Sequence, residues 1–271
     1  MNKIELDAIM AYLDFHPGKA LGQNFLVDGN LLEFIVRTAA PRPGEMILEA
    51  GPGFGVLTRA LLAAGTKVNA IEYDHRLVSY LRESINHANF NLIEGDACRV
   101  PLEPLVPESG SFRSIANLPY AVSSVFIGRL IDLPRPPLQM LFMLQKEMGQ
   151  RLSAQCGTKN YGSLSVRTQL LYKTKILRLV PRQVFHPQPE VDSALVMFDL
   201  LPDIPCLELR KKVSRLARTV FEQRRKMIHK PLSMMFGQPE ALAALKLAGI
   251  DPTSRPDNVP VADYLKLAEI L

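Results

Sequence analysis

Three cysteines among 271 residues (Cys98, Cys156 and Cys206) lie far apart with no paired spacing. That fits a reducing compartment and argues against a zinc cluster, so no metal is expected. No apolar run approaches the roughly 20 residues that a membrane-spanning helix needs. The opening stretch MNKIELDAIMAYLDF places Glu5, Asp7 and Asp14 where a signal peptide needs an uninterrupted apolar core. Internal repeats and low-complexity tracts are missing as well. These absences predict a soluble, cytoplasmic protein with no membrane partner. What is present suits a folded chain: 47% hydrophobic and 22% charged residues allow one substantial core and a smaller second one.

The net charge of +5 is unevenly spread. Between Pro205 and Phe236 stand nine lysines and arginines against two glutamates, a local +7, which leaves −2 for everything else. Such a run reads as the solvated face of a helix or as a surface for a polyanion. An excess larger than that of the whole chain favours nucleic acid.

Residues 45–142 alternate between two periods. EMILEA (45–50), TKVNAIEYD (66–74), NFNLIEGDA (89–97), FRSIAN (112–117) and LQMLFML (138–144) are short and strand-like. VLTRALLAAG and HRLVSYLRESINHA carry apolar residues at three- and four-residue steps, as helices do. The alternation predicts an α/β fold with a mostly parallel sheet covered on both faces. Ligands of such sheets bind beyond the carboxyl ends of the strands. Further on, residues 145–154 read as a helix and CGTKNYGSLSV (156–166) as a loop. LLYKTKILRLVPRQVF (170–185) and SALVMFDLL (193–201) read as strands completing the sheet. Past residue 203 the pattern turns helical, with Val213, Leu216, Ala217, Val220 and Phe221 on one face. The expected division is a first domain over 1–203, opening with a helix and a lid motif in 1–30, and a basic helical domain over 204–271. No long apolar stripe asks for a second subunit, so a monomer is expected.

The loop EAGPGFGVLT (49–58) follows the first strand of the alternating region. Gly51, Gly53 and Gly55 permit a tight turn and close approach of a ligand to the backbone. A dinucleotide site would place a third glycine at position 56, which is Val56, and Pro52 removes an amide that a pyrophosphate would use. A nicotinamide oxidoreductase is thereby disfavoured. Glu72, 21 residues after Gly51, suits the two hydroxyls of a ribose. Asp96 suits the exocyclic amine of an adenine. Singly, each acid reads more readily as a helix cap or a solvated strand terminus. In order on successive strands, they outline a pocket for an adenosine derivative without phosphates, for which S-adenosylmethionine is the candidate.

Asn117-Leu118-Pro119-Tyr120 ends the fourth of these strands. Asn117 offers an acceptor oxygen, while Pro119 holds Leu118 extended so that its carbonyl is also available. Two acceptors suit an exocyclic N–H2 group, and Tyr120 gives a flat face for stacking the base that bears it. Hydrogen bonds from both N–H groups favour a tetrahedral nitrogen whose lone pair can attack a methyl in line, with no strong base required. A strand-ending turn with a packed tyrosine is the plainer alternative.

Six stretches taken together, KALGQNFLVD (19–28), EAGPGFGVLT, NLPY, NYGSLSV (160–166), VFHPQPEVDS (184–193) and FEQRRKMI (221–228), resemble the small-subunit (16S) rRNA adenine N6,N6-dimethyltransferases, relatives of the erythromycin-resistance methylases. The resemblance spans nearly the whole chain. It implies a Rossmann-like class I methyltransferase sheet with a small C-terminal helical domain. It also implies dimethylation of two adjacent adenosines near the 3′ end of 16S rRNA in a pre-30S subunit. Gln23, Asn24, Leu26, Gly51, Gly53, Glu72, Asp96 and Asn117 would hold the donor, with Gln23 and Asn24 folding over it. Leu118, Pro119 and Tyr120 would join Asn117 in catalysis, and Phe185 would stack on the target adenine opposite Tyr120. Read without the resemblance, Phe185 serves equally well as core. The basic helical segment, with Arg218, Arg224, Arg225 and Lys226, would dock on RNA. DNA adenine methyltransferases use a similar grip, but the chain shows no separate DNA-recognition region. An assembly factor, binding pre-ribosomal particles, would keep the fold with less weight on the chemistry.

Overall fold

The computed structural model describes every residue except Lys19, Ala20 and Leu21, so the first three positions of the 19–28 motif lie outside the described residues. The first half of the chain forms α1 (Lys3–Tyr12), β1 (Phe25–Leu26), α2 (Gly29–Ala39), β2 (Met46–Ala50), α3 (Val56–Ala63), β3 (Lys67–Glu72), α4 (His75–Ser84), β4 (Phe90–Glu94) and β5 (Phe112–Asn117). Then come α5 (Ser123–Asp132), β6 (Gln139–Gln145), α6 (Lys146–Leu152), α7 (Ser163–Gln169), β7 (Tyr172–Val180), β8 (Phe185–His186) and β9 (Ser193–Leu200). The chain closes with α8 (Leu207–Glu222), α9 (His229–Phe236), α10 (Gln238–Ala248) and α11 (Val261–Ile270). No described helix is long and apolar enough to cross a membrane.

Seven strands make one sheet in the order β4-β3-β2-β5-β6-β9-β7. The pairs β2–β3, β3–β4, β2–β5 and β5–β6 are parallel, as the alternation predicts. From β2 the chain builds outward through β3 to β4, then returns to lay β5 on the other side of β2. The order therefore reverses between β2 and β5, and a crevice opens beyond their carboxyl ends. Strand β2 is buried from Ile47 to Ala50, as both-sided cover requires. Ile47, Val68, Ala70, Ile115 and Leu141 belong to the core packed with Leu61 and Leu81 of the helices. Phe126, Phe142 and Phe198 form a second layer with ring centroids 6.0–6.2 Å apart.

Two compact units emerge. The first comprises Met1–Arg129, Pro137–Gly149 and Ile176–Phe198; the second comprises Leu130–Pro136, Gln150–Lys175 and Asp199–Leu271. The second unit thus draws on segments before residue 203 as well as after it.

Two stretches differ from the sequence expectation. The loop expected over 156–166 ends early, because α7 starts at Ser163. Ser165, which reads as a loop residue, is buried; its Oγ accepts from the Gly162 N–H and donates to the Arg151 carbonyl. These local bonds cap a helix rather than break it. The strand expected over 170–185 stops at Val180, before Pro181. Phe185 and His186 leave the large sheet and pair antiparallel with Leu26 and Phe25.

Arg210 departs from the basic cluster to which its charge assigns it. It is 5% exposed, and its guanidinium donates to the carbonyls of Ile131 (3.3 Å), Leu133 (3.1 Å) and Pro134 (3.0 Å). Arg210→Ala is expected to destabilise the protein by about 3 kcal/mol, because three carbonyls, two of them buried, lose a charged donor. A lower urea midpoint checks this; RNA affinity of the folded variant should stay within about twofold of the parent, since a buried charge makes no phosphate contact.

Candidate active site

The crevice at the strand reversal collects the glycine loop after β2, the acids after β3 and β4, and the NLPY turn after β5. Gly51 sits at φ +68°, and a Cβ there would come within 2.8 Å of the Pro119 ring. Gly53 sits at φ +60°, and its Cβ would meet the Phe25 ring at 3.0 Å. Both glycines therefore serve first to let neighbouring protein segments close in, alongside the ligand approach expected from sequence.

Glu72 is buried at the end of β3. Its Oε2 accepts from the Gly53 N–H (3.1 Å), and its Oε1 accepts from the N–H groups of Tyr73 (2.9 Å) and Asp74 (3.0 Å). Burial pushes its pKa up and the three N–H bonds oppose that shift. Asp74 follows as the N-cap of α4. Burial disfavours its charge, but hydrogen bonds from Arg76 and Gln23 outweigh burial and hold the carboxyl down at about 2. Gln23 reaches Asp74 Oδ2 through its Nε2 (3.1 Å) and accepts from the Gly18 N–H through its Oε1 (2.7 Å).

Asp96 lies two residues beyond β4. It accepts from the Cys98 N–H (2.8 Å) and approaches Arg99 at 3.5 Å. Together with Gly51, Glu72 and Pro119 it lines a cavity of about 370 Å³. Leu26 is buried where β1 meets Phe185 and lines the adjoining space with Asn24, Gly53 and Asn117.

Asn117 Nδ2 donates to the Asn24 carbonyl (3.1 Å), which ties the end of β5 to the 19–28 motif. That orientation leaves Oδ1 as the side chain's acceptor, with no protein donor on it among the described residues. Leu118 is buried, its N–H donating to the Met143 carbonyl (3.3 Å), and Pro119 has no N–H to offer. Tyr120 is half-buried and its hydroxyl lies 2.7 Å from Ser193 Oγ. Burial pushes the Tyr120 phenol pKa up. Tyr120 also lines a cavity of about 640 Å³ with Asn24, Gln145, Pro187 and Gln188.

Phe185 is the first residue of β8. It is 3% exposed, lies in the sheet core and does not line that cavity. Pairing of β8 with β1 places the ring in that core. Among the four arginines and lysines expected to meet RNA, Arg225 and Lys226 are exposed. Arg218 is exposed and 3.8 Å from Asp132. Arg224 is half-buried, paired with Asp257 at 3.1 Å and bonded to the Thr158 carbonyl.

Sequence reading passed over Glu49. It is 1% exposed, accepts from the Thr58 hydroxyl at 2.7 Å and lines the same space as Glu72 and Asn117. Its signal was a lone acid inside the apolar run EMILEA. Asp74 and Ser193 were missed too, because each acts through a partner distant in sequence.

The model of the family described as ribosomal RNA adenine dimethylase matches residues 15–271. The chain belongs to that family. The ribosomal RNA small subunit methyltransferase A of Agrobacterium fabrum is 41% identical over 262 residues, covering 93% of this chain and 92% of the relative. Its counterpart from Clostridium acetobutylicum is 34% identical over 273 residues, covering 99% of both. A dimethyladenosine transferase from Plasmodium falciparum superposes with a TM-score of 0.73 at 25% identity, covering 90% of this chain and 95% of that one. The chain is thus an rRNA adenine dimethyltransferase, and its methyl donor is S-adenosylmethionine. The crevice fits such a donor: it has an acid oriented by N–H groups, a glycine loop and no diphosphate-binding glycine at Val56.

Burial raises Glu49 to about 8, with the Thr58 hydrogen bond opposing and the nearby Glu72 charge adding to the shift. A carboxyl raised from 4.5 keeps its proton in the folded state and loses it in the unfolded one between those pH values. Stability should therefore be highest below pH 4.5 on this account and decline as pH rises to about 8, by up to about 1.4 kcal/mol per pH unit. Glu49→Gln, measured without donor by urea unfolding at pH 5.5 and 8, should flatten that decline; an unchanged slope would remove Glu49 as its source.

Proposed function

We propose that the chain transfers two methyl groups to N6 of each of two adjacent adenosines near the 3′ end of small-subunit rRNA, within an immature small subunit. It would act as a cytoplasmic monomer. The observation that carries this reading is the Asn24–Asn117 bond, which commits the Asn117 amide nitrogen to protein and so supports its oxygen as the acceptor for a substrate donor. In this reading Asn117 Oδ1 and the Leu118 carbonyl accept from the two N6–H groups. The nitrogen is drawn towards a tetrahedral shape and its lone pair becomes available for in-line attack. S-adenosylmethionine supplies an electrophilic sulfonium methyl. The proton released from N6 after each transfer passes to water.

Glu72 would hold the ribose of the donor, and Asp96 the adenine amine. Gly51 and Gly53 would form the floor, with Asn24, Leu26 and Gln23 closing over it. Tyr120 would stack on the target base. Stacking of about 1–3 kcal/mol per base offsets much of the cost of extruding a nucleotide.

Arg225 and Lys226, with Arg218 beside them, would contact phosphates of the RNA, while Arg224 would hold their loop in shape through Asp257. Such contacts give affinity but little sequence preference, so selectivity would rest on RNA shape and the splayed base.

The test uses small subunits from cells lacking the modification, incubated with protein and S-adenosylmethionine and read by nucleoside mass spectrometry. N6,N6-dimethyladenosine should appear, and Asn117→Ala should lower its rate by roughly a hundredfold or more, the scale of a lost transition-state contact. Absence of product from the parent protein, with donor binding intact, would point instead to DNA, another RNA or a binding role. Glu at both 225 and 226 should weaken RNA binding and lower the salt slope by about 2, at about one per phosphate contact. Donor affinity measured by calorimetry should not move.

A further inference from the structure

Ser193 is fully buried at the start of β9, and its hydroxyl meets that of Tyr120 at 2.7 Å. The serine is itself fixed from the preceding residue. The Asp192 carbonyl accepts from the Lys146 N–H (3.0 Å), and Asp192 Oδ1 accepts from the Arg182 N–H (3.2 Å). At the other end of the tyrosine, Ser123 Oγ donates to the Tyr120 carbonyl (3.1 Å). The main chain and the ring tip of Tyr120 are thus tied to different parts of the first unit. Among the described residues lining the 640 Å³ cavity, Tyr120 is the only aromatic side chain, since Phe185 is turned into the core.

We infer that Ser193 is a positioning residue that fixes the Tyr120 ring, and that the second methyl transfer to each adenosine depends on it more than the first. The inference rests on the N6 reading above. An unmodified adenosine offers two N6–H groups to two acceptors, Asn117 Oδ1 and the Leu118 carbonyl. After one transfer a single N–H remains, and one acceptor loses its donor. A neutral hydrogen bond and a base–aromatic stack are comparable in size. The stack on Tyr120 then carries a larger share of holding N6 in line. A ring free to swing about its Cα–Cβ bond would be tolerated while two hydrogen bonds hold the amine and would matter once only one does.

The experiment is single-turnover methylation of unmodified small subunits by the parent protein, Ser193→Ala, Tyr120→Phe and the double variant. N6-methyl- and N6,N6-dimethyladenosine are followed over time by mass spectrometry. Ser193→Ala should keep the first rate within about threefold and slow the second by about tenfold, so that the monomethyl nucleoside accumulates; Tyr120→Phe should raise the ratio of first to second rate by a similar factor, whatever it does to the first rate. Both remove the same contact, so the double variant should match Tyr120→Phe and show the same ratio of first to second rate as either single one. Equal slowing of both transfers, an unchanged product ratio, or additive effects in the double variant would overturn the inference. Donor affinity reports whether each variant is folded. Should Ser193→Ala fail to bind donor, Tyr120→Phe alone decides, and a parental product ratio in that variant overturns it. A parent protein that forms no dimethyladenosine would instead sink the N6 reading beneath it.

Discussion

The Glu72 carboxylate is the point on which the crevice depends. It is buried at a strand end where a charge is costly, and three backbone N–H groups converge on it from two separate segments. The Gly53 N–H comes from the loop after β2, and those of Tyr73 and Asp74 come from the turn into α4. The carboxylate therefore fixes the glycine loop against β3 and at the same time sets the start of α4. Asp74, placed by that turn, receives Gln23. One buried acid thus organises the floor, one wall and part of the cover, through bonds whose strength grows with the low dielectric around them.

The other half of the site is joined by contact rather than charge. Gly51 has no Cβ, and the Pro119 ring occupies the space where one would be. The first glycine of the 49–58 loop and the proline of NLPY are therefore packed into one surface. Asn117 extends that surface by binding the Asn24 carbonyl. The residues proposed to hold the donor and those proposed to grip the target amine share a wall. Alignment of nucleophile and methyl is then a matter of rigid packing, which is what a reaction needing no strong base requires.

Much of this was legible in the sequence because it is local. Strand-then-helix alternation gives a parallel sheet, and residues just after strands give the crevice; Glu72, Asp96 and Asn117 follow from those two statements. The two-acceptor reading of NLPY follows from proline lacking an N–H. What could not be read depends on pairing between distant segments. Phe185 looks like a loop aromatic until β8 pairs with β1. Arg210 and Arg224 look like their basic neighbours until carbonyls of 131–134 and Asp257 are brought to them. Ser165 looks like a loop serine until its hydroxyl is seen capping α7. Charge counts locate a basic segment but do not say which charges reach solvent.

The crevice gathers four acids, Glu49, Glu72, Asp74 and Asp96, around a small volume, and each is relieved of repulsion differently. Glu49 keeps its proton at neutral pH. Glu72 is met by N–H dipoles, Asp74 by the Arg76 guanidinium at 2.7 Å, and Asp96 by the more exposed Arg99. Had all four been paired with buried arginines, the pocket would be neutral and no more receptive to a cation than to a neutral analogue. Had none been relieved, the fold would bear like charges in a low dielectric, where their repulsion is strongest. The arrangement instead sets Glu72, held by three N–H dipoles, beside a Glu49 that burial raises to about 8. A sulfonium donor carries a positive charge that its demethylated product lacks. A donor seated in a pocket lined by Glu72, Asp74 and Asp96 would be favoured over the spent product, and such a pocket would favour emptying after each of two successive transfers.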